Sequence, residues 1–205
     1  MPERRPQPAW SIAWLSLCLL TAVGGPLLTS SELALHRAIS EGLNNRFADA
    51  RAILKTANPV ARWDARFHCL QGDMASSEHL RTGDTQALLA AEGFYRQAIP
   101  LDPYGAVLRA KLADVLERRG RLEDALEAYL QACELDYYRA TYHLEAGRLA
   151  LALRRGELGR GHLRTSLELL PPWIDLTRRR QGADALGVQV LEAAEKDARA
   201  MLGDE

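Results

Sequence analysis

Arg121–Asp136 reads RLEDALEAYLQACELD, and the stretch before it, Arg109–Gly120, reads RAKLADVLERRG. Apolar residues recur through both at spacings of three and four, as along one face of an α-helix. Leu108, Leu112 and Leu116 form one stripe; Leu122, Ala125, Leu126 and Tyr129 form the next. Gly120 separates them, at the kind of place where a helix ends on a left-handed residue. The two stretches therefore predict a pair of helices joined by a tight turn.

Working outward, the same arrangement returns. Pro103, Tyr137 and Pro171 are evenly spaced along the chain. The same interval separates Ala91, Ala125 and Gly159; then Tyr95, Tyr129 and Leu163; then Ala98, Ala132 and Ser166. Small, large, small and then a helix breaker, returning with a period of about 34 residues, resembles the tetratricopeptide repeat. Small residues such as Ala125 and Ala132 let two antiparallel helices approach. Tyr129 fills the space between one hairpin and the next. Each hairpin has an apolar face that only a stacked neighbour can cover.

The resemblance is strongest over residues 106–139. It extends back over 84–105, where Ala90–Pro103 reads as a second helix (AAEGFYRQAIPLDP). It extends forward over 140–171, where Gly147 holds the family's small first-helix position and Gly159 replaces the usual alanine. Before these, a first helix is expected near Ala61–Ser76, followed by a polar connection over Ser77–Gly83 longer than the family's turn. Ser31–Leu43 and Phe47–Ala57 read as a degenerate hairpin closed by Asn58-Pro59, and Ala183–Leu202 as a capping helix. Pro171-Pro172-Trp173 is expected to break the array and to leave one large aromatic exposed or tucked. The domain plan is thus 29–60 for the degenerate hairpin, 61–171 for the repeats, and 172–205 for a basic linker and cap.

The N-terminus is of another kind. No residue from Pro6 to Ser31 is charged, and Pro8–Leu28 reads PAWSIAWLSLCLLTAVGGPLL. About 20 apolar residues match the hydrocarbon core of a bilayer. Arg4 and Arg5 precede the run, and Trp10 and Trp14 lie near its start, the pattern of a segment whose basic end stays in the cytoplasm. Residues 1–7 are accordingly expected as a cytoplasmic n-region and 8–28 as a transmembrane signal-anchor helix. That gives a single-pass inner-membrane localisation with the repeats in the periplasm. A cleaved signal peptide competes, since Trp10–Val23 has the length of an h-region and Ala22-Val23-Gly24 is a usable cleavage context.

Composition excludes several classes. A formal net charge of −1 gives no field attracting nucleic acid, and the aromatics are not interleaved with basic residues as a base-stacking platform requires. Among the catalytic signatures, G-x-S-x-G, H-E-x-x-H, the P-loop and C-x-x-C are all missing. Gly156–Gly161 has three glycines in the wrong order for a dinucleotide loop and follows a helix, so it reads as a hairpin turn. His36, His68, His79, His143 and His162 include no two with metal-ligand spacing on one helix. Cys69 and Cys133 read as small buried residues or as one disulfide, both readings standing. Arg178-Arg179-Arg180 reads as a solvated helix end or loop, with binding of a phosphate or an acidic partner as the lesser alternative. No cofactor, metal or catalytic residue is expected.

The resemblance implies partner binding along the concave face lined by each first helix. By register this gives Val107, Ala110, Asp114, Glu117 and Arg118, then Thr141, Leu144, Arg148 and Leu151. Ala110 and Asp114 stand where the family's carboxylate-clamping members have lysine and asparagine, which argues against an acidic C-terminal tail as ligand. The expected fold is all-α: a short superhelix of antiparallel hairpins behind one transmembrane helix. The expected function is a non-catalytic protein-protein adaptor in an envelope or membrane complex. The alternative is a cleaved, soluble periplasmic binding module or holding chaperone. Self-association stays open.

Overall fold

The computed structural model describes residues 30, 32–42, 44, 46–56, 62–182 and 185–203, and these residues are helical with short connections. Helix α1 covers residues 32–42. It is followed by α2 (Phe47–Thr56), α3 (Ala65–Thr82), α4 (Thr85–Ala98), α5 (Ala106–Arg118) and α6 (Leu122–Leu135). The chain ends with α7 (Ala140–Ala152), α8 (Gly156–Gln181) and α9 (Leu186–Leu202). Hairpins α3–α4, α5–α6 and α7–α8 pack within themselves and then against one another in chain order, and α9 packs on α8 and α7.

The residues of the repeat register hold these contacts. Ala91, Ala125, Ala98 and Ala132 are fully buried, and Tyr95 and Tyr129 are buried beside them. One core runs from Ala75 and Leu88 through Leu112, Leu116 and Leu126 to Leu149 and Ala150. A second joins Leu35 and Ala38 of α1 to Ala50 and Leu54 of α2 and Met74 of α3. A third joins Ala140 and Leu144 to Leu163, Leu170 and Ile174 and to Val188 and Ala198 of α9. Buried Glu92 of α4 ties two hairpins together, since it pairs with Arg96, Arg119 and Arg121.

Three local expectations are corrected. Helix α3 does not stop near Ser76 but runs to Thr82. Ser77–Leu80 contains no breaker, so the helix continues until Gly83, whose φ of 72° and N–H bond to the His79 carbonyl close it. Asp84 then caps α4 through the Gln86 N–H at 2.9 Å, so the connection is tight. The turn after α7 lies at Leu153–Arg155, ahead of Gly156–Gly161, which form the start of α8. Pro171 and Pro172 lie inside α8 and do not end it. Both are exposed, and packing of Leu170 and Ile174 against α7 and α9 holds the helix on course.

The single-pass inner-membrane localisation does not stand. Among the described residues no helix is long and apolar enough to cross a membrane. Residues 1–7 and 8–28, on which that expectation rested, lie outside the described residues, as do Asn58 and Pro59. The periplasmic placement of the array derived from the N-terminal run falls as well.

Candidate protein-binding groove

The first helices α1, α3 and α5 line a cavity of ≈ 680 Å³. Buried Leu35, Met74 and Leu108 form its floor, and the more exposed Ile39 and Val107 stand at its edge. A second recess of ≈ 330 Å³ continues between α5 and α7, with Tyr95 and Tyr129 behind it. Val107 belongs to both.

The lining follows the repeat. Ile39, Asp73 and Val107 face the large cavity and Thr141 the smaller one, each a full repeat from the next. Counting back from Val107 in the sequence reaches Asp73 and Ile39, which the forward count to Thr141 leaves out.

Polar groups between the two recesses are matched. Asp73 accepts hydrogen bonds from Lys111 Nζ at 2.6 Å and from the Tyr95 hydroxyl at 2.7 Å. Burial and the Asp73 carboxylate both push the Tyr95 hydroxyl pKa up. Burial alone would lower the Lys111 ammonium, but its bonds to Asp73 outweigh that and raise it. The three side chains thus link α3, α4 and α5. The approach is close enough that a Cβ on Gly72 would stand 2.5 Å from the Tyr95 ring.

The residues predicted from the sequence are distributed unevenly. Val107, Ala110, Asp114 and Thr141 line the recess. Asp114 also holds Arg118 at 2.9 Å. Glu117 receives Arg148 through both carboxylate oxygens, at 2.7 and 2.6 Å, and Arg148 also bonds Glu145 at 2.8 Å. Burial alone would lower the Arg148 guanidinium, but these two carboxylates raise it. Glu117, Arg118 and Arg148 thus belong to an ion-paired cluster with Asp114 and Glu145.

Leu144 and Leu151 are not brought to the groove. Leu144 is buried and Leu151 half-buried, both against the core of α7, α8 and α9. Leu144 shares that core with Val188 and Ala198 of α9, so the open face of α7 is carried by Thr141, Tyr142 and Glu145.

The structure also brings together residues that the sequence reading kept apart. His143 Nδ1 lies 3.0 Å from His162 Nδ1, and Cys133 is beside them. Hairpin geometry explains the omission. Residues on the two arms of the α7–α8 hairpin meet across it, whereas the spacing rule surveys one helix at a time. Cys69 and Cys133 are both free thiols, on α3 and α6.

The sequence matches no family model and no curated protein. Among solved structures, it is similar to the MamA protein at 12% identity, over 83% of this chain and 91% of that one, with a TM-score of 0.61. It is similar to PilF of Pseudomonas aeruginosa at 14% identity, over 87% of each chain, with a TM-score of 0.60. Identities this low speak to the fold alone. The hairpin order, the periodic ladder of buried small residues and these neighbours agree: the chain has the fold of the tetratricopeptide-repeat proteins.

Proposed function

We propose that this chain is a non-catalytic protein-binding module that holds an extended or helical segment of a partner along the inner faces of α1, α3, α5 and α7. The observation that carries this reading is the ladder Ile39, Asp73, Val107 and Thr141, which presents successive contact points along one groove. The groove is lined mainly by apolar side chains at its wider end. Its partner is therefore a segment with apolar anchors, whose burial drives association. An acidic tail is a poor ligand. Lys111 is already neutralised by Asp73, and Arg66 is held by Glu32 and Asp64.

Site-specific photocrosslinking tests the reading. A crosslinker at Ile39, Val107 or Thr141 should capture the same partner, whereas one at Gln131, on the outer face of α6, should not. Val107→Asp should weaken binding of that partner at least tenfold, because an unpaired carboxylate would be desolvated. Capture from Gln131 alone, or unchanged affinity in the Val107 variant, overturns the proposal.

A further inference from the structure

We propose that Cys133, His143 and His162 form a transition-metal site, best suited to Zn²⁺, that staples α6, α7 and α8 together. One ligand atom of each residue lies within 4.8 Å of the other two. The residues come from three successive helices, so the cluster is a product of the packing and not of local sequence.

The orientation of the rings supports it. His143 Nε2 is 3.0 Å from the Tyr137 carbonyl oxygen. A carbonyl only accepts, so Nε2 carries the proton and donates it there. That leaves the Nδ1 lone pair of His143 directed at His162. A histidine ligand oriented by a backbone carbonyl on its far nitrogen is the usual outer-shell arrangement at metal sites. The Tyr137 ring also stands edge-on to His143, with centroids 5.1 Å apart, and fixes the imidazole plane. The His143–His162 nitrogen separation of 3.0 Å would need to open by about 0.4 Å to reach the ~3.4 Å edge of a tetrahedral site with Zn–N bonds near 2.1 Å. The cysteine sulfur would have to move inward by about 1 Å to complete three ligands.

Burial lowers both imidazole pKa values and raises that of the Cys133 thiol, so a coordinated dication would have to release the thiol proton to solvent. Two neutral nitrogens and one thiolate give a borderline-soft donor set that favours Zn²⁺ over Mg²⁺ or Ca²⁺, with a water as fourth ligand.

The test uses the full untagged chain, stripped with a chelator and titrated with Co²⁺ alone and then with Zn²⁺. The expected result is one equivalent bound, with a thiolate-to-cobalt charge-transfer band that Zn²⁺ abolishes. Cys133→Ala should lose the band, and His162→Gln should bind at least tenfold more weakly while keeping the helical circular dichroism. With Zn²⁺ at about 100 times its dissociation constant, the midpoint of thermal unfolding should rise by about 5–10 °C. The wild-type titration decides the matter even if a variant fails to fold, since absence of a one-equivalent thiolate band overturns the site. A band that survives Cys133→Ala would place the metal on another cysteine and overturn it equally, as would unchanged affinity in His162→Gln.

Discussion

Hairpin α5–α6 has Ala113 and Ala125 where hairpin α7–α8, one repeat on, has Gly147 and Gly159. All four are buried, but the space is filled differently. A Cβ added to Gly147 would lie 2.8 Å from Leu163 and 3.0 Å from the Gly159 carbonyl. One added to Gly159 would lie 2.7 Å from Leu151 and 3.0 Å from the Gly147 carbonyl. The leucines thus occupy volume that alanine methyl groups hold in the earlier hairpin. Leu151 stands where Glu117 stands one repeat before, so an ion-paired position in one hairpin has become a half-buried apolar one in the next. The register conserves the helix pair and its packed volume, and it leaves open which residue supplies that volume.

The largest test of this comparison is Gly159→Val. The added branches meet backbone as well as side chain, so relief requires the helices to separate. Overpacking of this kind should cost about 3 kcal/mol, a fall of roughly 6–12 °C in the unfolding midpoint for a chain of this size. The matched change Ala125→Gly removes one methyl and loosens one helix residue, which should cost only about 1 kcal/mol. Thermal melts followed by circular dichroism measure both. Equal losses would mean that the two hairpins are packed alike after all.

A smaller contrast lies in the turns. Gly120 ends α5 at φ 75°, its N–H bonded to the Glu117 carbonyl and the Arg121 N–H to the Leu116 carbonyl. Arg154 fills the equivalent place after α7 at φ 59°, with the same two bonds formed by Arg154 and Arg155. A left-handed conformation costs a side-chain-bearing residue about 1–2 kcal/mol, part of which glycine returns through its freer unfolded chain. Arg154→Gly should therefore stabilise by about 0.5–1 kcal/mol, and Gly120→Arg should destabilise by about 1 kcal/mol. Opposite signs in urea midpoints sharpen the comparison; the same sign in both would break it.

These particulars show what could be read in advance. The register was legible because small residues, a large aromatic and a breaker recur at fixed offsets, and each reports a contact made inside a hairpin or with its neighbour. The helix continuing through Pro171 and Pro172 was not legible. Local propensity says that proline interrupts, and only the tertiary contacts of Leu170 and Ile174 override it. The same register reached Val107, Ala110, Asp114 and Thr141, which line the smaller recess. It did not announce that Leu144 shares a core with α9 or that Leu151 fills the space left by Gly159. The meeting of His143 with His162 needed the hairpin itself.

The smallest effect concerns how α8 is held once it has passed its prolines. Trp173 Nε1 donates to the Tyr138 carbonyl at 3.0 Å, joining α8 to the α6–α7 turn. At 42% exposure the indole keeps a wet face. Trp173→Phe keeps most of the apolar contact and removes the bond, and the exposed carbonyl regains water, so the loss should be about 0.5–1 kcal/mol. Global melting resolves that poorly, whereas hydrogen exchange reads it locally. Amides of 174–181 should exchange several-fold faster in the variant, while those of α3 and α4, two hairpins away, should not change. If exchange in 174–181 is unaltered, the packing of Leu170, Ile174 and Val188 alone secures the end of α8, and the last repeat is held as the earlier ones are, by its apolar face.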